Sequence, residues 1–288
     1  MNYEKKQDVV YGYKDGMGLI MDVFTPSAKR NGAAVIWLLS GGFRSNLGFD
    51  NSSRGYLSPR VISNFKRSVH SLLDAGYVVF AVAHSSAPKY RIDEIIPEIS
   101  RAVRFIRHHA EHFGIAPHRI GIRSASAGGM LSLMVATAAP APDPEAEDLI
   151  DRTSSQVQAV VAYFPPTDLL NFGYPHTTFS PTDFHYWDEE SQHFERIVDP
   201  EERKAILRRC SPITHANADS PPILLVHGDE DEVVAIQQSE LFAARLQEVG
   251  VEHRLIVAKG KGHGWEPSAD ELDDIIGWFD QYLLADEQ

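Results

Sequence analysis

The chain has 288 residues, enough for one large domain or two small ones, and its 43% hydrophobic and 23% charged residues are typical of soluble globular proteins. The net charge of −13 argues against a nucleic-acid partner, and it is uneven: residues 1–140 carry 17 Lys and Arg against 10 Asp and Glu, whereas residues 141–288 carry 10 against 30. The single cysteine, Cys210, excludes an internal disulfide framework and a multi-cysteine metal site.

Apolar segments in this chain are too short to cross a bilayer. The longest, Ala33–Leu39 and Tyr77–Ala83, have about seven residues, whereas a membrane helix needs about 20. The N-terminal sequence MNYEKKQDVV shows no apolar stretch after its lysines, so no signal peptide is visible. We therefore expect a cytoplasmic protein without a membrane span.

Short runs of β-branched and aromatic residues predict strands along the whole chain, and helical patterns separate several of them. The first two runs are joined by the glycine-containing turn Lys14–Gly18 and predict an antiparallel hairpin. Near-continuous apolar strands alternating with helices predict a largely parallel sheet with helices on both faces, an α/β fold. The predicted strands are Val9–Tyr13, Leu19–Phe24, Ala34–Leu39, Val78–Ala83, Ile120–Arg123, Ala159–Phe164, Ile223–His227 and Leu255–Ala258.

Three segments have the apolar periodicity of amphipathic helices. In Asp93–Gly114 an apolar stripe recurs at helical spacing, Asp93 is the expected N-cap and Gly114 the expected stop. Glu240–Val249 and Asp270–Leu284 show the same kind of pattern nearer the C-terminus.

Two stretches interrupt this alternation. Pro140–Asp151 is a proline-rich acidic loop, and Asn171–Ser211 is an irregular stretch rich in aromatic residues and histidine. Long aromatic loops within α/β domains are usually functional. We expect one domain over residues 1–288, with a cap-like pocket insertion around residues 165–215. Within it Phe184–Trp187 either caps the pocket or packs the loop against the body.

The segment Arg119–Met130 passes from a predicted strand into a predicted helix through small residues only. That is the context of a nucleophile elbow, a strained turn in which the positions two before and two after the serine must be small. For Ser126 these positions are Ser124 and Gly128, which fit, whereas for Ser124 they would include the bulky Ile122. Ser126 is thus the candidate nucleophile; the alternative is a serine that merely caps a packed helix.

A serine nucleophile needs a base and an acid that orients the base. After the strand Pro222–Val226 comes an acid-rich loop, His227–Val234, and after Arg254–Ala258 comes a glycine-flanked histidine, His263. Both lie just past the carboxyl ends of strands, where ligand sites of open α/β sheets lie. The order serine, acid, histidine is that of α/β-hydrolases.

The chain resembles an α/β-hydrolase esterase, near the acetyl-esterase and feruloyl-esterase-like carboxylesterases. The likeness rests on SGGF at Ser40–Phe43, SAGG at Ser126–Gly129, HGDEDEVV at His227–Val234 and GHGW at Gly262–Trp265. It extends from Gly32 to the last helix. In such enzymes the acid stands as in HGxxDxxV, which selects Asp231 over Asp229 and Glu230, and the histidine of GHG matches His263.

The resemblance also implies an oxyanion hole formed by backbone N–H groups of Gly41, Gly42 and Ala127. Two departures from the family pattern bear on this site. The usual HGGG reads Leu39-Ser-Gly-Gly42, which also brings Phe43 into consideration as a donor, and the first glycine of the elbow is Ser124. Ser124 either strains the turn or hydrogen-bonds to nearby backbone.

The resemblance implies a serine carboxylic-ester hydrolase that works through an acyl-enzyme on small to medium acyl esters, with acetylated or feruloylated carbohydrate as a suggestion. It needs neither a cofactor nor a metal, and its partner is a small-molecule ester. Alternatives are a serine oligopeptidase or exopeptidase and a non-catalytic binding protein of the same fold. The oligomeric state stays open. Candidate pocket residues are Phe43, His84, Tyr186, Trp187 and Trp265.

Several other histidines resemble site residues. His108–His112 spells the zinc-peptidase pattern HxxEH, but at helical spacing these side chains face away from the apolar stripe, so we favour a solvated surface. His227 is expected to support the acid loop rather than to react, and for His84 a structural hydrogen bond is the alternative to a place in the pocket. Cys210 shows no setting that would mark a reactive thiol.

Overall fold

The computed structural model describes residues 3–45, 59–172, 185–188 and 190–285, without the side chains of residues 59–65 and 187. The strands of this part of the chain are β1 (Tyr3–Lys14), β2 (Met17–Pro26), β3 (Ala34–Leu38), β4 (Val78–Val82), β5 (Ile120–Ala125), β6 (Ala159–Tyr163), β7 (His185–Asp188), β8 (His193–Arg196), β9 (Ile223–Gly228) and β10 (His253–Ala258). The helices are α1 (Pro59–Asp74), α2 (Ile92–His108), α3 (Ala110–Phe113), α4 (Ala127–Thr137), α5 (Pro200–Arg209), α6 (Pro212–His215), α7 (Gln237–Glu248) and α8 (Ala269–Leu283).

A sheet of eight strands forms the centre of the described structure, in the order β1-β2-β4-β3-β5-β6-β9-β10. β1 and β2 form the predicted antiparallel hairpin, and β2 runs antiparallel to β4. From β4 to β10 neighbouring strands are parallel. All eight predicted strands are present, so the predicted mostly parallel sheet is confirmed. The carboxyl ends of β3, β4, β5, β6, β9 and β10 therefore meet at one edge.

Helices cover both faces of the sheet because successive strand residues point to opposite sides. In β3, Ile36 joins the core beneath α2, α4 and α7, whereas Val35 joins the core beneath α1 and α8. Every residue of α4 is buried, which makes it the central helix of its layer. The helix that begins directly after β5 is thus fixed on all sides.

The helix predicted over Asp93–Gly114 is two helices in the structure. α2 ends at His108 and α3 begins at Ala110, while Gly114 terminates α3 with a φ of 67° as predicted. The N-cap prediction was wrong: the cap is Arg91, whose backbone N–H donates to the Glu94 carboxylate at 2.9 Å. Asp93 instead accepts hydrogen bonds from the side chains of Arg91 and Arg209.

Two arginines on α2 fasten the proline-rich acidic loop, and a third, Arg107, binds the segment that follows the loop. Arg101 pairs with the carboxylates of Asp148 (2.6 Å) and Asp151 (3.3 Å), and Arg104 also reaches Asp151. Otherwise Arg104 and Arg107 donate mainly to main-chain carbonyls, those of Pro117, Pro140, Ala141, Ser154 and Gln156. The loop is thus bound to the helix near both of its ends.

Regular elements occur within the stretch predicted to be irregular. β7 and β8 pair as a short antiparallel hairpin, and α5 and α6 follow it. Residues 173–184 and 189 lie outside the described residues. The stretch is fastened near both ends, because Gln238 accepts from the N–H groups of Thr167 and Asp168 and Ser211 accepts from that of Leu169. Its role as a cap stays a prediction.

In the described part of the chain, every helix is too short or too polar to span a membrane.

Candidate active site

Ser126 lies in the tight turn between β5 and α4. Its backbone has φ 56° and ψ −127°, and its N–H donates to the carbonyl of Tyr163 at 2.8 Å. A residue other than glycine in such a conformation costs about 1–3 kcal/mol, a strain typical of functional turns. The Ser126 side chain does not cap α4; its Oγ lies 2.9 Å from Nε2 of His263. The simple N-cap alternative therefore does not describe this serine.

The two positions flanking the elbow show why small residues are needed. A Cβ atom on Gly128 would stand 2.0 Å from Oγ of Ser124, so no larger residue fits without displacing the turn. Ser124 replaces the usual glycine, and its hydroxyl donates to the carbonyl of Leu38 at 2.6 Å. Of the two outcomes foreseen for Ser124, the structure has the backbone hydrogen bond, which ties the elbow to the end of β3.

Asp231 lies on the loop after β9 and is held by both of its oxygens. Oδ1 accepts from the N–H groups of Val233 (2.8 Å) and Val234 (2.9 Å), and Oδ2 accepts from Nδ1 of His263 (2.7 Å). Burial raises the pKa of Asp231, but hydrogen bonds from His227, His263 and the Val234 N–H outweigh burial and hold the pKa well below its usual range. Asp231 is therefore ionised at neutral pH.

Neighbouring acids of the same loop have other partners. Asp229 binds the ammonium of Lys259 at 3.0 Å and the N–H of Gly260 at 2.7 Å, so it joins the loops that follow β9 and β10. The Glu230 N–H donates to the carbonyl of Lys261, and a Cβ on Gly228 would stand 2.1 Å from that same carbonyl oxygen. These contacts bring the two loops together, which sets the distance from Asp231 to His263.

His263 connects Asp231 to Ser126. Because its Nδ1 is 2.7 Å from a carboxylate oxygen, the hydrogen-bond network assigns the proton to Nδ1 and leaves the lone pair of Nε2 facing Ser126. The imidazole is half-buried, and the ring of Phe164 packs against it with centroids 4.5 Å apart. A base in this tautomer can accept the serine proton.

The backbone donors predicted for an oxyanion hole are not equivalent. Ala127 is the first residue of α4, so its N–H has no acceptor within the helix. Gly42, with φ 57°, makes no N–H hydrogen bond within the described residues. The N–H of Gly41 donates to the carbonyl of Arg44 at 3.0 Å, because residues 41–44 close on themselves as a turn. The Gly41 N–H is thus already paired in this structure, and its part in an oxyanion hole stays a prediction.

The candidate pocket residues lie in different places. Phe43 is buried, while Trp265 is half-buried, stacks against Phe164 and donates from Nε1 to Glu271 at 2.8 Å. Tyr186 is 43% exposed and lines a cavity of about 660 Å³ together with Tyr90 and Phe194. Ser126, Asp231 and His263 do not line that cavity. The side chain of Trp187 lies outside the described residues.

His84 is buried at the end of β4. Its Nδ1 hydrogen-bonds the carbonyl of Ser85, which fits the structural alternative, and its Nε2 has no hydrogen-bond partner in the described chain. Burial lowers the pKa of His84 to about 4, although the hydrogen bond to Ser85 opposes the shift. The imidazole is thus neutral at neutral pH.

Sequence reasoning missed Phe164, and it assigned His227 only the support of the acid loop. His227 is fully buried, with Nε2 3.5 Å from Oδ2 of Asp231, and Phe164 directly follows β6 and contacts His263. The His-Gly pair ahead of Asp231 was the sequence signal for His227. The place of Phe164 could only have been inferred from the adjacency of β6 and β9 in the sheet.

His108 and His112 of the HxxEH pattern lie on α2 and α3. Across the residues that the structure describes, there is no group of three or more His, Cys, Asp or Glu side chains arranged to hold a metal ion.

The chain is similar to known proteins in sequence and in fold. The BD-FAE family model matches residues 21–246. Esterase LipQ of Mycobacterium tuberculosis is 26% identical over 62% of this chain and 40% of its own length, and the probable carboxylic ester hydrolase LipM of the same organism is 28% identical over 62% and 39%. The chain thus spans less than half the length of these curated relatives.

Among solved structures, a truncated carbohydrate esterase from gut microbiota superposes with a TM-score of 0.75 at 23% identity, covering 97% of this chain and 96% of that one. This likeness concerns the fold and confirms the predicted α/β-hydrolase class. From the family match, the chain belongs to the BD-FAE family of α/β-hydrolase esterases. The match ends before His263, so the assignment of the base rests on geometry.

Proposed function

We propose that this protein is a serine carboxylic-ester hydrolase in which Ser126 is the nucleophile, His263 the general base and Asp231 the orienting acid. The observation that carries the proposal is the hydrogen-bonded chain from Ser126 Oγ to His263 (2.9 Å) and on to Asp231 (2.7 Å). Membership of the BD-FAE family and the names of the two mycobacterial relatives support it.

In the proposed first half-reaction, Ser126 Oγ attacks the ester carbonyl while Nε2 of His263 takes its proton. The ionised Asp231 stabilises the imidazolium that forms and keeps it in the productive orientation. The carbonyl oxygen becomes an oxyanion, which accepts hydrogen bonds from the N–H groups of Ala127 and Gly42. Each such donor contributes about 10²–10³-fold in rate.

Collapse of the tetrahedral intermediate breaks the bond to the alcohol oxygen, which receives the proton from His263. The acyl group is then an ester of Ser126. In the second half-reaction His263 removes a proton from water, which attacks the acyl carbonyl; the carboxylic acid leaves and Ser126 regains its proton. We propose small to medium acyl esters as substrates.

Replacement of the nucleophile tests the proposal most directly. We expect Ser126→Ala to lower kcat for p-nitrophenyl acetate at least about 10³-fold and to abolish labelling by a fluorophosphonate probe. Ser132→Ala is the matched control, because that serine also lies at α4 but donates to the carbonyl of Gly128 at 2.9 Å. Wild-type turnover by Ser126→Ala would overturn the assignment.

A substrate panel distinguishes ester from amide hydrolysis. Aryl esters from acetyl to longer acyl chains are compared with aminoacyl anilides that have the same leaving-group chromophore. We expect turnover of the esters, and a preference for the anilides would favour a peptidase instead.

A further inference from the structure

We propose that His227 is a positioning residue for the reaction: its Nε2–H holds the loop that carries Asp231, so that the carboxylate stays directed at His263. This inference rests on the proposed function. The observation behind it is that Asp231 lies between two imidazoles, His263 on the side of the nucleophile and His227 on the side of the core.

The contacts of His227 account for both ring nitrogens. Nε2 lies 2.9 Å from the carbonyl of Val234, and Nδ1 lies 2.7 Å from Oγ of Ser239. A carbonyl oxygen can only accept, so Nε2 carries the proton and Nδ1 accepts from the serine hydroxyl. The Nε2–H is thereby directed toward the acid loop.

The Nε2–H acts on Asp231 by two routes. It bonds the carbonyl of Val234, the residue whose own N–H donates to Oδ1 of Asp231 at 2.9 Å. It also lies 3.5 Å from Oδ2, the oxygen that binds His263. The first route fixes the loop, and the second places a positive dipole beside the negative charge in a region without solvent.

Five side chains thus follow one another across the site: Ser126, His263, Asp231, His227 and Ser239. The outer pairs are alike in type, each a serine beside a histidine, but only Ser126 lies at the half-buried elbow, whereas Ser239 and His227 have no exposed surface. His227 is consequently suited to holding the acid rather than to reacting, and Ser239 contacts only the ring nitrogen on the side away from the acid.

The ring of Phe164 packs near both histidines, with centroids 4.5 Å from His263 and 6.4 Å from His227. It restricts lateral movement of both imidazoles, and Asp231 is the polar group that contacts both of them. Loss of the His227 N–H would therefore change the position of His263 through Asp231.

Replacement of His227 by glutamine or asparagine tests the role of its Nε2–H separately from that of the rest of the ring. In His227→Gln the side-chain amide can occupy the position of Nε2, whereas in His227→Asn it reaches only the position of Nδ1, beside Ser239. We expect His227→Asn to lower kcat about tenfold to a hundredfold, a loss of the size that follows removal of an outer hydrogen-bond partner in metal sites. KM stays within about twofold, and His227→Gln restores most of the activity.

Ser239→Ala is the control, because it removes the hydrogen bond at Nδ1 and leaves the Nε2–H in place. We expect it to lower the unfolding temperature while kcat stays within about threefold of wild type. Unfolding temperature and ester kinetics are measured for all three variants.

Each other outcome overturns the inference. Unchanged kcat in His227→Asn would mean that the N–H is not needed. Equal losses in the Asn, Gln and Ser239→Ala variants would show that packing alone matters. If Ser126→Ala retained wild-type turnover, the proposed function itself would fall, whereas an inactive Ser126→Ala beside a fully active His227→Asn would remove only the role of His227.

Discussion

The carboxyl edge of the sheet has two halves that are held in different ways. The triad half comprises the ends of β5, β9 and β10 with Ser126, Asp231 and His263, and each of these side chains bonds the next. The loop half comprises residues 39–45 and 83–88, which follow β3 and β4. There Ser40 Oγ and His84 Nε2 are buried with no hydrogen-bond partner in the described part of the chain.

The difference shows how one edge of the sheet can hold a buried group that is charged and another that is uncharged. In the triad half, donors around Asp231 outweigh the effect of burial, so the carboxyl is charged. In the loop half, burial outweighs the one hydrogen bond made by His84, so the imidazole is uncharged. Hydrogen-bond donors thus decide the charge of Asp231, whereas burial decides that of His84.

Removal of the negative charge of Asp231, in the triad half, should have the largest effect on kcat. We expect Asp231→Asn to lower kcat for an aryl ester about 10³- to 10⁴-fold, because the amide no longer stabilises the imidazolium or favours the productive tautomer. Circular dichroism checks that the fold persists.

The control for this prediction is Asp229→Asn, two residues earlier in the same loop. Asp229 contacts Lys259 and Gly260 rather than His263, so kcat should fall less than about tenfold. If the two variants lost activity equally, general disturbance of the loop would explain both.

A steric change at the junction of the two halves should have the next largest effect. In Gly128→Ala the new Cβ meets Ser124 Oγ, which is bonded to Leu38, the last residue of β3 directly before the loop half. We expect a loss of about 1–3 kcal/mol in the free energy of unfolding. We also expect about a 10²-fold lower kcat, because small displacements of a nucleophile are costly.

The double variant Ser124→Gly/Gly128→Ala should recover part of both losses, because it removes the atom that clashes. Gly277→Ala in α8 is the matched control: its added Cβ meets no atom within 4 Å. It should stabilise the helix by up to about 1 kcal/mol. A double variant as impaired as Gly128→Ala would place the cause elsewhere than Ser124.

The smallest effect concerns His84 and appears only as acid is added. Its pKa is about 4 in the folded protein against 6.5 for an ordinary histidine, so between these values the unfolded chain binds a proton that the folded protein does not. The free energy of unfolding should therefore fall as pH drops from 6.5 to 4, by up to about 1.4 kcal/mol per pH unit from this residue.

Urea unfolding at pH 7, 6 and 5 measures this slope. His84→Asn should reduce it, because asparagine does not titrate and its amide can still donate to the carbonyl of Ser85. Identical slopes for wild type and His84→Asn would contradict the assignment of a neutral buried imidazole.

Much of the fold and the geometry of the three triad side chains could be predicted because each depends on short-range sterics or pattern. Apolar runs determined the eight strands, and the need for small neighbours distinguished Ser126 from Ser124. The resemblance then selected Asp231 from three adjacent acids. In each case the deciding information lay within a few residues of the position concerned.

What escaped prediction depends on backbone conformation or on distant contacts. The N–H of Gly41 is occupied because residues 41–44 close into a turn, which the glycines permit but do not specify. The strands of the β7–β8 hairpin have only four residues each, too few for alternation to be recognised. The place of His227 beside Asp231 follows from the path of the loop after β9.

The arginine row on α2 bears on how freely the sequence of the acidic loop can change. Arg104 binds the loop through the main-chain carbonyls of Pro140 and Ala141, which every amino acid supplies. The other attachments need the acidic side chains: Asp148 pairs with Arg101, and Asp151 pairs with both arginines. The start of the loop can therefore accept substitutions, whereas replacement of Asp151 removes two contacts with the helix at once.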